Sequence, residues 1–363
     1  MGIKGLRVFL RKFSPNVFIH VPSWKNFAGQ RLAIDASVYL YKFMSTGNLS
    51  HGNWIDMFIN LIIKLRKNNI RPVFIFDGKP PSEKGDTQKR RRARRGKVET
   101  KMIELQELID IIYNTNDPLS IDLLKSINNI TNIDAVDFTK IELLQELNKR
   151  YKKESSRCIS IGNCEYIKLQ DLLTFLGLPW YIAIGEAERT CAWLCKWGYV
   201  TGVLSTDSDV LAYGAPLFIT EIKRGEEKMI EMILYKDVLQ SLDLKEKQFT
   251  DFCIMCGTDY NNNIRDIGPV KAYRLIQEHE NLDGIEKRLT SILTYERVRE
   301  LFTLPNKNEP SSVITGVTGE QFSISPINKI NKGELIMYLF KNNSQYTVEE
   351  LEYTTFIPKF VIK

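Results

Sequence analysis

Residues Arg71–Pro81 read RPVFIFDGKPP. Val73–Phe76 is an apolar run of β-branched and aromatic residues bounded by Pro72 and Gly78, the pattern of a short buried strand, and Asp77 stands at its carboxyl end. The same phrase recurs as Leu32-Ala33-Ile34-Asp35 and as Gly202-Val203-Leu204-Ser205-Thr206-Asp207-Ser208-Asp209. Strands that each end in aspartate gather their carboxylates on one edge of a sheet. In open α/β sheets ligands bind outside the carboxyl ends of the strands, and carboxylates crowded there repel one another unless a divalent cation neutralises them. The stretch therefore predicts an α/β fold with a Mg²⁺ site on its floor.

The chain around it has 363 residues, 43% of them hydrophobic. That is enough for one large α/β domain or two smaller ones and excludes overall disorder. Lys and Arg number 50 against 44 Asp and Glu, a mild excess whose distribution matters more than its size. No apolar run reaches the ~18 residues of a membrane span, and the N-terminus lacks the apolar core of a signal peptide, so a soluble intracellular protein is expected. Leu6 stands where a myristoylation motif needs Ser or Thr. Six cysteines fit a reducing compartment. Cys191 with Cys195 and Cys253 with Cys256 lack the glycine-turned knuckle of a zinc site and read as buried thiols. With only His20, His51 and His279 available, any hydrolytic chemistry must rest on carboxylates.

Along the chain, Arg31–Asp35 reads as the first strand. The helix that follows, Ala36 to Phe43, brings Ser37 and Tyr41 near the acidic edge, where Tyr41 is either half-buried core or a stacking platform for a base. Met44–Gly52 reads as a mobile loop and Trp54–Lys67 as an amphipathic crossover helix. After Asp77 come Lys84, Lys89, Arg90, Arg91, Arg92, Arg94, Arg95 and Lys97 against one acid, Asp86. On a helix Lys84, Arg91 and Arg95 share a face. Alone, this run would also suit a solvated surface or a nuclear-localisation signal; its start seven residues after Asp77 favours phosphate neutralisation. Val98–Arg157 reads as a helical spacer and candidate lid, with Met102, Leu105, Leu108, Ile109 and Ile112 as one stripe, a second helix capped at Asp117-Pro118 and a third around Ile141–Leu147. Gly177–Trp180 turns into a short strand, and Glu186 and Glu188 precede a helix read as Arg189–Trp197. Two residues apart on a helix point to nearly opposite sides, so both glutamates serve one site only if Glu186 is the non-helical cap.

The segments MGIKGL, AIDAS, PVFIFDGKPP, GEAERTCAWL, STDSDVLAYGAP and CGTDYNNNIRDIGPVKA follow one another as in the XPG/flap-endonuclease family of structure-specific 5′ nucleases, which the sequence resembles over residues 1–95 and 165–285. The resemblance implies a twisted, mostly parallel central sheet with helices on both faces, a PIN-like nuclease fold, with a helical insertion and a C-terminal helix–turn–helix DNA-binding element. It implies two Mg²⁺ or Mn²⁺ ions held by Asp35, Asp77, Glu186, Glu188, Asp207, Asp209 and Asp259. Asp209 would be catalytic together with Lys84 and Arg91, or Arg90 in the other register, at the scissile phosphate. Tyr41 would stack beside the scissile linkage, Arg94 and Arg95 would extend the basic face, and Gly2 would bring its amine near the DNA. At the hairpin Ile264–Ala272, Arg265, Gly268, Lys271 and Arg274 would hold the duplex backbone, with a K⁺ ion. Asp266 departs from the pattern by standing where the hairpin has its first glycine.

The organisation expected is 1–97 N-terminal nuclease region, 98–164 helical insertion, 165–240 internal nuclease region, 241–290 duplex-binding element and 291–363 C-terminal segment packed back on the core. The function expected is cleavage of 5′ flaps with 5′→3′ exonuclease activity, in replication, repair or recombination. A junction resolvase or a mainly exonucleolytic enzyme is the alternative within the family, and a catalytically inert DNA-structure-binding protein the alternative outside it. The seven intact acids argue against inertness. The expected partner is branched or flapped double-stranded DNA, bound by a monomer, with pairing of two chains on a junction left open. Nucleus and cytoplasmic replication site are equally compatible. Thr354–Pro358 lacks the Q-x-x-apolar-x-x-aromatic-aromatic motif, so sliding-clamp recruitment by that route is not expected.

Overall fold

The computed structural model describes residues 2–50, 53–115, 119–131, 133–134, 138–224, 227–319 and 321–352. Its strands are β1 (Ile19–Val21), β2 (Arg31–Asp35), β3 (Arg71–Phe76), β4 (Trp180–Ile182), β5 (Gly202–Leu204), β6 (Leu217–Arg224) and β7 (Glu227–Leu234). They form one sheet of order β1-β7-β6-β5-β2-β3-β4. Strands β6, β5, β2, β3 and β4 run parallel, and β7 and β1 add an antiparallel edge.

The helices are α1 (Leu6–Phe13), α2 (Ala36–Ser50), α3 (Trp54–Lys67), α4 (Gly85–Asn114), α5 (Ile121–Thr131), α6 (Lys140–Ser155), α7 (Asn163–Phe175) and α8 (Ala187–Lys196). They continue as α9 (Asp209–Ala212), α10 (Tyr235–Leu242), α11 (Glu246–Cys256), α12 (Pro269–His279), α13 (Lys287–Thr290), α14 (Tyr295–Phe302), α15 (Lys332–Lys341) and α16 (Val348–Glu352). Among the described residues no helix is long and apolar enough to cross a membrane.

Side chains alternate across a strand, so each parallel strand feeds two cores. Ala33, Val73, Ile75, Val203 and Phe218 join Trp193, Phe249 and Phe252 on one face. Leu32, Ile34, Phe74, Phe76, Leu204 and Ile219 join Phe58, Ile62, Leu172 and Leu335 on the other. A third cluster, Leu105, Leu108, Ile112, Ile127, Leu143 and Leu147, lies within the insertion helices α4, α5 and α6; the spacer's apolar stripe supplies it from Leu105 to Ile112, while Met102 stays outside it. Helix α4 runs unbroken from the basic run into this cluster, across residue 97. On the second face the C-terminal segment returns to the core, where the Tyr338 hydroxyl donates to the Lys168 carbonyl at 2.8 Å.

Two expectations change. Arg31–Asp35 is the second strand, because the three-residue β1 precedes it and pairs with β7 at the sheet edge. Met44–Ser50 continues α2 and is not a loop. Two of its hydroxyls find carbonyls: Thr46 donates to the Lys42 carbonyl one turn back, and Ser45 to the Ser156 carbonyl across the fold. Gly52, the Asp117-Pro118 cap and the Thr354–Pro358 tail lie outside the described residues. The four cysteines of the helical pairs are free and buried.

Candidate active site

Adjacent parallel strands β5, β2 and β3 bring the three aspartate-ended phrases to one edge. Asp35 is fully buried and accepts from the Val38 N–H at 3.0 Å and the Ser205 hydroxyl at 3.1 Å. Past β3 the Gly78 N–H donates to the Gly185 carbonyl at 2.8 Å, and a Cβ on Gly78 would lie 1.9 Å from the Ala183 oxygen. Only glycine allows this approach, which sets Asp77 beside the start of α8. Glu186 is that helix's cap, with extended φ −79° and ψ 141°. Glu186 and Glu188 therefore face one site after all: one carboxylate oxygen from each of Asp77, Glu186 and Glu188 lies within 4.8 Å of the others. Asp207 accepts the Asp209 N–H at 3.1 Å just ahead of α9, whose cap is Ser208. A Cβ on Gly2 would stand 2.2 Å from Asp207 Oδ1, so the N-terminal segment packs directly on this acid. Asp259 follows the Gly257 turn that ends α11.

Burial raises the pKa of Asp35, Glu188 and Asp209 well above the carboxylate range, and neighbouring acids raise it further: Asp77 acts on Asp35, Asp35 on Glu188, and Asp207 on Asp209. Among the described residues Glu188 Oε2 and Asp209 Oδ1 are buried without a hydrogen-bond partner. Buried orphan acceptors in an all-oxygen donor set fit a hard divalent cation, and this cluster can hold one. Lys84 supplies positive charge from the other wall. Its ammonium pairs with Glu186 and lies 3.6 Å from Asp259. Burial alone would lower its pKa, but Glu186 and Glu188 raise it above the ordinary lysine value.

The cleft above the acids has a volume of about 550 Å³ and is lined by Tyr41, Lys84, Arg91, Arg94, Arg95 and five of the acids, Asp77, Glu186, Glu188, Asp207 and Asp259, among others. Arg91 donates to Asp259 at 2.6 Å. Arg90 folds back instead onto the Asp86 carbonyl and the Thr87 hydroxyl of its own helix. The structure thus brings Arg91 to the acids in the register the sequence leaves open. Three further residues stand at the site that the sequence reading did not single out. Arg157 lines the cleft from the segment joining α6 to α7, and Tyr166 from the first turn of α7. Lys4, whose ammonium pairs with Asn263, stands near Asp259, Arg90 and Arg94, and its pKa is lowered by burial and by Arg90. The signal for Lys4 lies inside MGIKGL; Arg157 closes a run with Lys149, Arg150, Lys152 and Lys153, which sequence cannot distinguish from a solvated surface.

Helices α11 and α12 flank the turn Gly257–Gly268 and pack together. Asp266 has φ 61°, so the left-handed turn that glycine usually provides persists here on aspartate. Gly268 caps α12 and Pro269 opens it, while Arg265, Lys271 and Arg274 are exposed.

Residues 1–98 match the XPG N-terminal domain and residues 177–259 the XPG I-region. A probable RAD2-like endonuclease, 369L of Invertebrate iridescent virus 6, is 34% identical over 332 residues, covering 83% of this chain and 79% of the viral protein. The chain belongs to the XPG/flap-endonuclease family. Flap endonuclease 1 of Lodderomyces elongisporus is 32% identical over 302 residues, covering 80% of this XPG-family chain and 69% of the yeast protein. The fold is that of the catalytic core of Rad2 solved in complex with DNA substrate, with a TM-score of 0.60, 20% identity and coverage of 95% and 97% of the two chains. This XPG-family member is accordingly a structure-specific nuclease acting on DNA, with a twisted, mostly parallel sheet under its acids.

Proposed function

We propose that the protein cuts 5′ flaps near the single-strand/double-strand junction, with accompanying 5′→3′ exonuclease activity, using two divalent cations, Mg²⁺ or Mn²⁺. One observation carries this reading: carboxylates from β2, β3, α8, α9 and the α11 turn converge at a cleft that also carries Lys84 and Arg91, and two buried carboxylate oxygens have no partner among the described residues. Asp35, Asp77, Glu186, Glu188, Asp207, Asp209 and Asp259 would hold the cations. When bound, such ions supply Lewis-acid polarisation of the phosphodiester and make histidine unnecessary.

The chain's own residues do the rest. Lys84 and Arg91 neutralise charge that grows on the scissile phosphate, Lys84 from a partly buried position where a fixed cation is most effective and Arg91 from an exposed one beside Asp259. Tyr41, exposed at the cleft, offers an aromatic face to the base beside the cut. Arg94, Arg95, Lys4 and Arg157 draw the backbone in, while Arg265, Gly268, Lys271 and Arg274 hold the duplex at the α11–α12 turn. A K⁺ ion at that turn belongs to the same reading. The names of the flap endonuclease 1 relatives support flaps as the substrate.

The test presents the protein, with Mg²⁺ and with EDTA, with a 5′ flap, a nicked duplex and a four-way junction, using Asp209→Asn as control. Metal-dependent incision at the flap base, lost in the mutant, is expected. Preferred cutting of the four-way junction overturns flap specificity, and binding without any cutting overturns the nuclease reading.

A further inference from the structure

The short turn Ser82–Lys84 delivers Lys84 to the acids, yet little in its own sequence holds it there. Helix α4 begins on Gly85 with no side-chain cap at Lys84, and glycine in a first turn leaves the backbone loosely fixed. The anchor comes from 214 residues away: Arg297 Nε donates to Glu83 Oε1 at 2.7 Å, and Arg297 Nη1 to Glu300 Oε2 at 2.7 Å.

Arg297 lies on α14, and α14 is itself seated on the other walls of the site. Arg299 donates to both Asp251 oxygens on α11, each at 2.6 Å, and pairs with Asp283. Phe302 packs on Tyr213 at a ring separation of 4.9 Å and on Tyr260 at 5.6 Å, and the two tyrosine hydroxyls share a hydrogen bond of 2.7 Å. Tyr213 ends the helix that starts with Asp209, and Tyr260 is the neighbour of Asp259. One eight-residue helix thus touches the arms that bear Asp209, Asp259 and Lys84.

We infer that α14 is a strut and that Arg297, acting through Glu83, is a positioning residue that fixes Lys84 against Glu186 and Asp259. This rests on the nuclease reading above. The Arg297 side chain is 55% exposed, and an exposed ion pair adds little to global stability, so its value lies in geometry. A displacement of a charged group by about an ångström at the reacting phosphate costs far more in rate than in binding.

The test is a double-mutant cycle on the full chain with Mg²⁺ and a labelled 5′-flap DNA under single-turnover conditions. Arg297→Ala lowers the cleavage rate roughly tenfold, while DNA affinity stays within about twofold and the melting temperature is unchanged. Arg297→Lys restores part of the rate, and the exchanged pair Glu83→Arg with Arg297→Glu recovers what either single change loses. In a Lys84→Ala background Arg297→Ala has no further effect. A wild-type rate in Arg297→Ala, or an undiminished loss in the Lys84→Ala background, overturns the proposal. If the wild-type protein cuts none of the DNAs, the proposed function fails, and amide hydrogen exchange decides the strut separately. Exchange over Ser82–Arg91 should quicken about tenfold in Arg297→Ala with the rest of the chain unaltered; unchanged protection there overturns it.

Discussion

Asp77 Oδ1 accepts the backbone N–H of Ala187 at 2.8 Å. The aspartate that ends β3 thereby satisfies one of the orphan donors at the start of α8, the helix that carries Glu188 and is capped by Glu186. One side chain fixes the spacing between strand and helix and contributes charge to the cluster they form.

These two tasks separate by substitution. Asp77→Asn keeps an oxygen for the Ala187 N–H and removes the charge, so thermal stability in EDTA should be held or raised while stabilisation by added Mg²⁺ shrinks. Asp77→Ala removes both and should cost about 1 kcal/mol in EDTA as well. Melting curves of the two variants with and without metal check this; equal stability of Asn and Ala variants in EDTA would refute the capping role.

The raised carboxyl pKa values dictate a pH dependence. Between the ordinary values, 3.8 for Asp and 4.5 for Glu, and their raised folded values, Asp35, Glu188 and Asp209 keep protons that the unfolded chain has released. The native state then binds more protons than the unfolded state, so this contribution is full below the ordinary values and is lost as pH rises through the folded ones. Urea denaturation in EDTA from about pH 5 to pH 8 should show wild type losing more stability with rising pH than Asp209→Asn does. Mg²⁺ should shrink the difference in slope. Parallel slopes in EDTA would contradict burial of a repelling cluster.

The floor of the site is legible in sequence because it is local. An apolar run leading to an aspartate suffices to read β2, β3 and β5, with the glycine turn at Gly78 marking the end of β3, and helix geometry alone forces Glu186 into the cap position that it occupies. What escapes is what long-range contact decides. Strand β1 is three half-buried residues whose pairing partner is some 210 positions away. Met44–Ser50 looks like a loop by composition yet continues α2, with the Ser45 hydroxyl bonded to the distant Ser156 carbonyl that no local pattern announces. Arg157 trails a helical run of cations and Arg297 stands two residues before Arg299, so in local sequence both read as surface charge, and only the fold shows what they face.

Position within the basic run should appear in kinetics. Lys84→Ala is expected to lower the single-turnover rate by about 10²–10³-fold, with Arg91→Ala causing a smaller loss in the same direction. Arg90→Ala should stay within about threefold of wild type, because its guanidinium bonds its own helix. Quench-flow rates on a flap substrate decide the matter, and equal losses for Arg90→Ala and Arg91→Ala would reverse the register.

At the hairpin, Asp266 holds φ 61°, a conformation that an L-residue adopts at a cost of about 1–2 kcal/mol and that glycine adopts freely. Its carboxylate also lies 3.7 Å from Arg265 Nε, drawing that exposed cation toward itself in the surface expected to meet phosphate. Asp266→Gly should therefore act twice. Relief of the backbone should raise stability by up to about 1 kcal/mol, less the chain entropy that glycine adds to the unfolded state. Freed Arg265 and one fewer negative charge should tighten duplex binding and steepen its salt dependence, with no change in the single-turnover rate at saturating DNA. Titrations at two salt concentrations alongside urea denaturation separate the two effects. Tighter binding without added stability would mean that the turn is already relaxed on aspartate. Added stability without tighter binding would remove Arg265 from the phosphate contacts.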